Sequence, residues 1–130
     1  MSVFRTKQIP LDFSPLLVPK LKWCPVNLDG ITERDGRFLV FEVKHGEQVS
    51  IGQIRMLQAM AKTPKFIVIV VNCKWSAPDE QGARLFAPES FQVMTPDGTL
   101  GELILSDTQD FKLRYEKWCR TPSVGIKAFL

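Results

Sequence analysis

The stretch that decides the fold runs Val26-Asn27-Leu28-Asp29-Gly30, then Ile31-Thr32-Glu33-Arg34-Asp35-Gly36, then Arg37-Phe38-Leu39-Val40-Phe41-Glu42-Val43-Lys44. Asp-Gly between two apolar runs is a strong two-residue hairpin signal. The first strand is expected over residues 22–28, ending at Asp29. The second is expected over Arg37–Lys44. Closing the hairpin brings Asp29 toward Glu42. Glu42 and Lys44 lie two apart on one strand and project from the same face. Along Arg37–Lys44 both faces are largely apolar, as in a central strand covered on both sides. Glu42 is the odd member of its face. A carboxylate there is costly unless it is paired, hydrogen-bonded or metal-bound.

Outward from the hairpin, His45-Gly46-Glu47 reads as a turn. Ser50-Ile51-Gly52-Gln53 has the capping-box pattern that opens a helix. Ile54, Leu57, Gln58 and Ala61 share one face of that helix, and Thr63-Pro64 stops it. The apolar, β-branched run Phe66-Ile67-Val68-Ile69-Val70-Val71 is a buried strand. Strand, helix, strand in this order predicts a crossover with the Val40 and Val68 strands parallel and the helix on one face. Further on, residues 85–87 and 90–95 are expected as short strands. Pro96-Asp97-Gly98 is expected as a turn, and residues 100–105 as a strand pairing across it. Ser106-Asp107-Thr108-Gln109 starts a second helix that ends near Arg120-Thr121-Pro122. Residues 123–130 are expected to be loose unless docked. Upstream, Pro10, Pro15 and Pro19 mark an irregular arm over residues 1–22, with one helical turn expected over residues 12–17.

Asp29, Glu42 and Lys44 converge as two carboxylates and an ammonium. That grouping can hold a divalent cation and a water, which is equipment for phosphodiester hydrolysis. The segment also resembles the core of the PD-(D/E)xK nuclease superfamily, over residues 23–72. There an Asp precedes a hairpin, and Glu/Asp-x-Lys follows on the next strand. Here the match is Asp29 with Glu42-Val43-Lys44. Leu28 stands where the signature has Pro, and no clear helical acid precedes Asp29. The layout is similar to small phage-type nucleases and to VRR-type nuclease domains.

The resemblance implies an α/β fold: one restriction-endonuclease-like domain over residues 1–130, with a central mixed sheet flanked by helices. Residues 84–120 would add accessory strands and a C-terminal helix. It implies Mg²⁺ or Mn²⁺ held by Asp29, Glu42 and the Val43 carbonyl, with Lys44 assisting the attacking water. Gln53 either closes its own capping box or reaches the site as a catalytic-side glutamine. DNA is the implied substrate, and Lys20, Lys22, Arg34, Arg37 and Arg55 are candidate phosphate contacts. A homo-oligomer making paired cuts fits so small a chain. The competing reading is a non-catalytic module on the same fold that binds nucleic acid or a partner protein.

Composition sets the outer limits. The 130 residues carry 17 Lys and Arg against 14 Asp and Glu, a net charge of +3. This permits nucleic-acid binding without requiring it. Three widely spaced cysteines, Cys24, Cys73 and Cys119, make no Cys-x-x-Cys pair and fit free thiols in a reducing compartment. No apolar run is long enough to span a bilayer, and the first residues lack a signal-peptide core. A cytoplasmic location and no membrane partner are therefore expected. No phosphate-binding glycine loop occurs, so no organic cofactor is expected. His45, the lone histidine, reads as a turn residue or a supporting group, which leaves a Ser-His-Asp or Cys-His enzyme without support. Trp75, Phe86, Tyr115 and Trp118 are either base-stacking residues or core.

Overall fold

The computed structural model describes residues 14–20, 28–46 and 51–130. The chain divides into two compact units, Met1–Leu28 with Ser76–Leu85, and Asp29–Trp75 with Phe86–Leu130. In the first unit a 3₁₀ turn, Ser14–Leu16, is closed by Leu17 N–H donating to the Ser14 carbonyl at 3.0 Å. A loop in the same unit is built on Asp79, whose Oδ1 accepts from the Gln81 and Ala83 amides at 2.9 Å each.

The second unit is an α/β body. Its elements are β1 (Gly30–Arg34), β2 (Arg37–Lys44), α1 (Ile51–Ala61), β3 (Phe66–Cys73), β4 (Pro88–Met94), β5 (Ile104–Leu105) and α2 (Thr108–Arg120). The strands form one mixed sheet in the order β1-β2-β3-β4-β5. Only β2 and β3 run parallel, and they are the pair joined through α1. A parallel pair requires a crossover, and α1 supplies it.

The hairpin turn is Asp35-Gly36. With Arg34 opposite Arg37 it is a two-residue loop, and φ is positive at both positions, 52° and 76°. That is the type I′ geometry whose twist matches the strands, and Asp-Gly adopts it readily. Glu33 tightens the turn by accepting from Gly36 N–H at 2.7 Å. This register corrects the expected first strand. Counting back from Arg34 places β1 at Gly30–Arg34, so Asp29 precedes the strand instead of ending one. Residues 22–27 of the expected strand, Lys22 among them, lie outside the described residues, and Leu28 is not in a strand.

Paired residues on neighbouring strands share a sheet face. On one face Leu39, Ile67, Ile69, Val71, Cys73, Phe91 and Val93 are buried with Phe111, Trp118, Ala128 and Phe129. On the other face Val40, Val68, Val70 and Met94 are buried, as are Leu57 and Ala61 of α1. The sheet is thus covered on both sides, which explains why β2 and β3 are apolar on both faces.

Helix α2 begins where expected. Asp107 is its N-cap and accepts from Asp110 N–H at 2.8 Å, with Asp110 in the first turn and Lys117 and Arg120 in the last. These charges complement the helix dipole. The segment Pro122–Phe129 is docked, forming two short 3₁₀ segments across a kink at Gly125. Phe129 is fully buried, and Arg114 holds its carbonyl at 2.5 Å while stacking over the Phe91 ring. Aromatic burial against Phe91 and Phe111 outweighs the loss of chain freedom there. Two other expectations change. Residues 85–87 form no strand, and of residues 100–105 only Ile104–Leu105 do, with an isolated bridge from Leu100 to Met94.

Candidate active site

The site begins with the hairpin register. Gly30 pairs with Phe41. One step beyond, Asp29 comes opposite Glu42, because antiparallel partners advance in opposite directions. Asp29 is anchored there by its carboxylate, which accepts from Val43 N–H at 2.7 Å. The N–H and C=O of one strand residue point to the same edge, so the Val43 carbonyl is turned toward the Asp29 side as well.

Glu42 is only 4% exposed. Its register partner on β3 is Val70, itself buried, and the strand position before it on the same face is Val40. Gln53, in the first turn of α1, donates from Nε2 to Glu42 Oε1 at 2.9 Å. That bond fixes which sheet face α1 covers. The Gln53 side chain thus reaches the carboxylate, whereas Ser50, its partner in the capping-box reading, lies outside the described residues. The second oxygen, Oε2, is buried with no hydrogen-bond donor among the described residues.

Burial pushes the Glu42 carboxyl up to about 7, helped by the negative charge of Asp29 and by the hydrogen bond a protonated Glu42 makes to it. The electrostatic logic is plain. Ionised, the two acids are acceptors facing each other, and a buried acceptor without a donor is costly. The pair is relieved by a proton at low pH or by a cation at neutral pH. Two carboxylates and a carbonyl on one edge are hard oxygen donors of the kind that Mg²⁺ takes while keeping most of its waters. Among the described residues no cluster of three or more His, Cys, Asp and Glu side chains occurs. A cation here would therefore find two carboxylates and backbone among the described residues, and water would have to complete its shell.

Lys44 ends β2 on the same face as Glu42, two residues on and half-buried. No ion pair ties it to an acid among the described residues. Asp29, Glu42, Val43, Lys44 and Gln53 are thus brought together. Of the candidate phosphate contacts, the two on the hairpin are not, and Lys22 lies outside the described residues. Arg34 and Arg37 flank the hairpin turn at the opposite end of β2, and Arg34 donates to the Cys119 carbonyl of α2 at 3.2 Å. Arg55 is exposed on α1, and Lys20 is exposed in the first unit.

The aromatic candidates divide. Trp118 is core, and Phe86, Phe111 and Tyr115 join Phe41 in an aromatic cluster on the other sheet face. Cys73 is a buried thiol pushed up to about 11, chiefly by burial, which makes it a poor nucleophile. Sequence reasoning missed Asn72. It pairs with Lys44 across β2 and β3, and its Oδ1 accepts from Gly46 N–H at 2.8 Å. A polar residue next to the end of an otherwise apolar strand is the signal that marks it. No helix among the described residues is long and apolar enough to cross a membrane.

Comparison with protein-family models, with characterised proteins and with solved structures finds no match to this chain.

Proposed function

We propose that the protein is a metal-dependent nuclease of the PD-(D/E)xK type, hydrolysing phosphodiester bonds in DNA. The observation that carries this reading is Glu42, a buried acid with one oxygen held by Gln53 and the other lacking a donor among the described residues, set against Asp29. A site made only to bind nucleic acid needs donors for phosphate, and two opposed acceptors repel it. A site made for a divalent cation needs such acceptors. The α/β sheet, with its parallel β2 and β3 joined through α1, is compatible with a restriction-endonuclease-like core.

Asp29, Glu42 and the Val43 carbonyl would hold Mg²⁺ or Mn²⁺. When bound, the cation polarises a phosphoryl oxygen and makes water more acidic. Gln53 keeps the Glu42 carboxylate from rotating. The Val43 amide keeps Asp29 against the strand. Lys44 presents an ammonium on the same face, where it offsets phosphate charge and orients the attacking water. The apolar flanks on β2 and β3 exclude bulk water from one side of the site, which strengthens each of these interactions.

The test is cleavage of supercoiled, linear and branched DNA, with RNA alongside, in Mg²⁺ or Mn²⁺. Wild type is compared with Glu42→Ala and Lys44→Ala. We expect metal-dependent cutting that falls by at least about a hundredfold in both variants. A folded wild type that binds no divalent cation and cuts no substrate overturns the nuclease reading and leaves the non-catalytic binding module.

A further inference from the structure

We infer that Asn72 is a positioning residue for Lys44, acting by holding the chain where it leaves β2. The inference rests on the nuclease reading of the Asp29–Glu42 site. Lys44 is the last residue of β2, and the chain turns away directly after it. At Gly46 the backbone has φ 87°, a left-handed conformation that glycine takes without strain. Strand ends fray where the ladder stops, and a lysine there sits on a loose base with a long, flexible stem.

Asn72 answers this directly. It is the register partner of Lys44, so the two side chains stand side by side on one sheet face. Its Oδ1 accepts from Gly46 N–H at 2.8 Å, beyond the last β2–β3 pair. Of the two ends of the Asn72 side-chain amide only the oxygen can accept from an N–H, so its orientation is fixed by its partner. The side chain extends the sheet by one bond and staples the exit of β2 to β3. Lys44 is thereby held between two fixed points. Upstream, the Val43 amide is held by Asp29. Downstream, Gly46 is held by Asn72. At Asn72 the β3–β4 register also shifts, so that residue is where regular pairing ends on both sides of β3.

A misplaced catalytic group costs rate before it costs binding. Three readouts test this: steady-state cleavage, Mn²⁺ affinity by calorimetry, and hydrogen exchange at the Gly46 amide. For Asn72→Ala we expect kcat to fall by about tenfold to a hundredfold. KM and Mn²⁺ affinity stay within about twofold, and Gly46 exchange speeds by about tenfold or more. For Asn72→Asp the carboxylate can still accept from Gly46 N–H, so protection returns and kcat recovers above the alanine variant.

Unchanged kcat in Asn72→Ala, with wild type active, overturns the inference and leaves the nuclease reading standing. Restored Gly46 protection with kcat still at the alanine level also overturns it, since the amide donors would then be what matters. Absence of cleavage by wild type overturns the nuclease reading, and the role assigned to Asn72 with it. Gly46 exchange still reports separately whether the staple exists.

Discussion

Replacing Glu42 with Gln should make the metal-free protein more stable and inactive at once, and the gain should depend on pH. Glutamine keeps the shape of the side chain and keeps an oxygen for Gln53 to donate to. It removes the buried charge and offers Asp29 a donor. The size of the effect follows from linkage. The Glu42 carboxyl stands at about 7 in the folded chain against 4.5 as its ordinary value. Between those values the folded state binds more protons than the unfolded state, so stability falls as pH rises. Relative to the glutamine variant, wild type loses nothing below about pH 4.5 and loses progressively from there to about pH 7. Above that the loss is constant. At about 1.4 kcal/mol per pH unit, the full loss is about 3 kcal/mol, an upper figure because Glu42 and Asp29 titrate together. The assay is urea unfolding in a chelator at pH 4.5 and pH 8, on wild type and Glu42→Gln. The expected result is a difference near zero at the lower pH and about 2–3 kcal/mol in favour of the variant at the higher. Adding Mn²⁺ at pH 8 should raise the wild-type midpoint and leave the variant unmoved. A variant no more stable than wild type at pH 8, or a difference that ignores pH, would refute the claim that Glu42 is a strained buried acid.

Gln53→Leu should weaken Mn²⁺ binding by about tenfold to a hundredfold while the fold stays intact, because groups that orient a metal-binding carboxylate carry effects of that size. Unchanged affinity by calorimetry would return Gln53 to the capping role that its position after Ser50 also allows. Phe129→Ala should cost about 3–5 kcal/mol in urea unfolding, as for a fully buried aromatic in a packed cluster. A cost below about 1 kcal/mol would mean that the last residues do not hold the α2 side of the sheet.

Legibility differed by element for physical reasons. The hairpin was readable because Asp35-Gly36 admits positive φ at both positions, and few other pairs do. The parallel crossover was readable because β2 and β3 are apolar on both faces, with an amphipathic helix between them. That Leu28 and Asp29 stand outside a strand and β1 starts at Gly30 was not readable, because an apolar residue before Asp-Gly looks like a strand end, whereas the two-residue turn fixes the register from its own end. The docked tail was missed because Val124, Ile126 and Phe129 are spaced irregularly around a glycine kink and give no periodic signal. Of the site, Asp29, Glu42 and Lys44 could be read from sequence because each breaks a local pattern. That the Gln53 side chain reaches Glu42 could be seen only from geometry, because the Ser50-x-x-Gln53 spacing suits a capping box equally well. The basic residues could not be assigned at all. Sequence lists Arg34 and Arg37 near Glu42, while the hairpin carries them to the opposite end of the strand.

That separation bears on how substrate would be held. The acidic pair sits at the open end of the hairpin, and the nearest strand-borne arginines flank its turn. A strand rises about 3.3 Å per residue, so the five steps from Arg37 to Glu42 span roughly 17 Å. A single phosphate at the acidic pair cannot also meet Arg37. Among the described strand residues Lys44 is the only cation on the Glu42 face of β2, so on the nuclease reading the first contact with a phosphodiester would fall to it and to a cation held by the acids. Binding should therefore depend on divalent metal far more than on the hairpin arginines. A non-catalytic module would show the reverse order, with affinity set by Arg34, Arg37 and salt and indifferent to metal. The two readings thus part on one comparison, DNA affinity with and without Ca²⁺ as a non-turnover cation, in wild type and in Arg37→Ala.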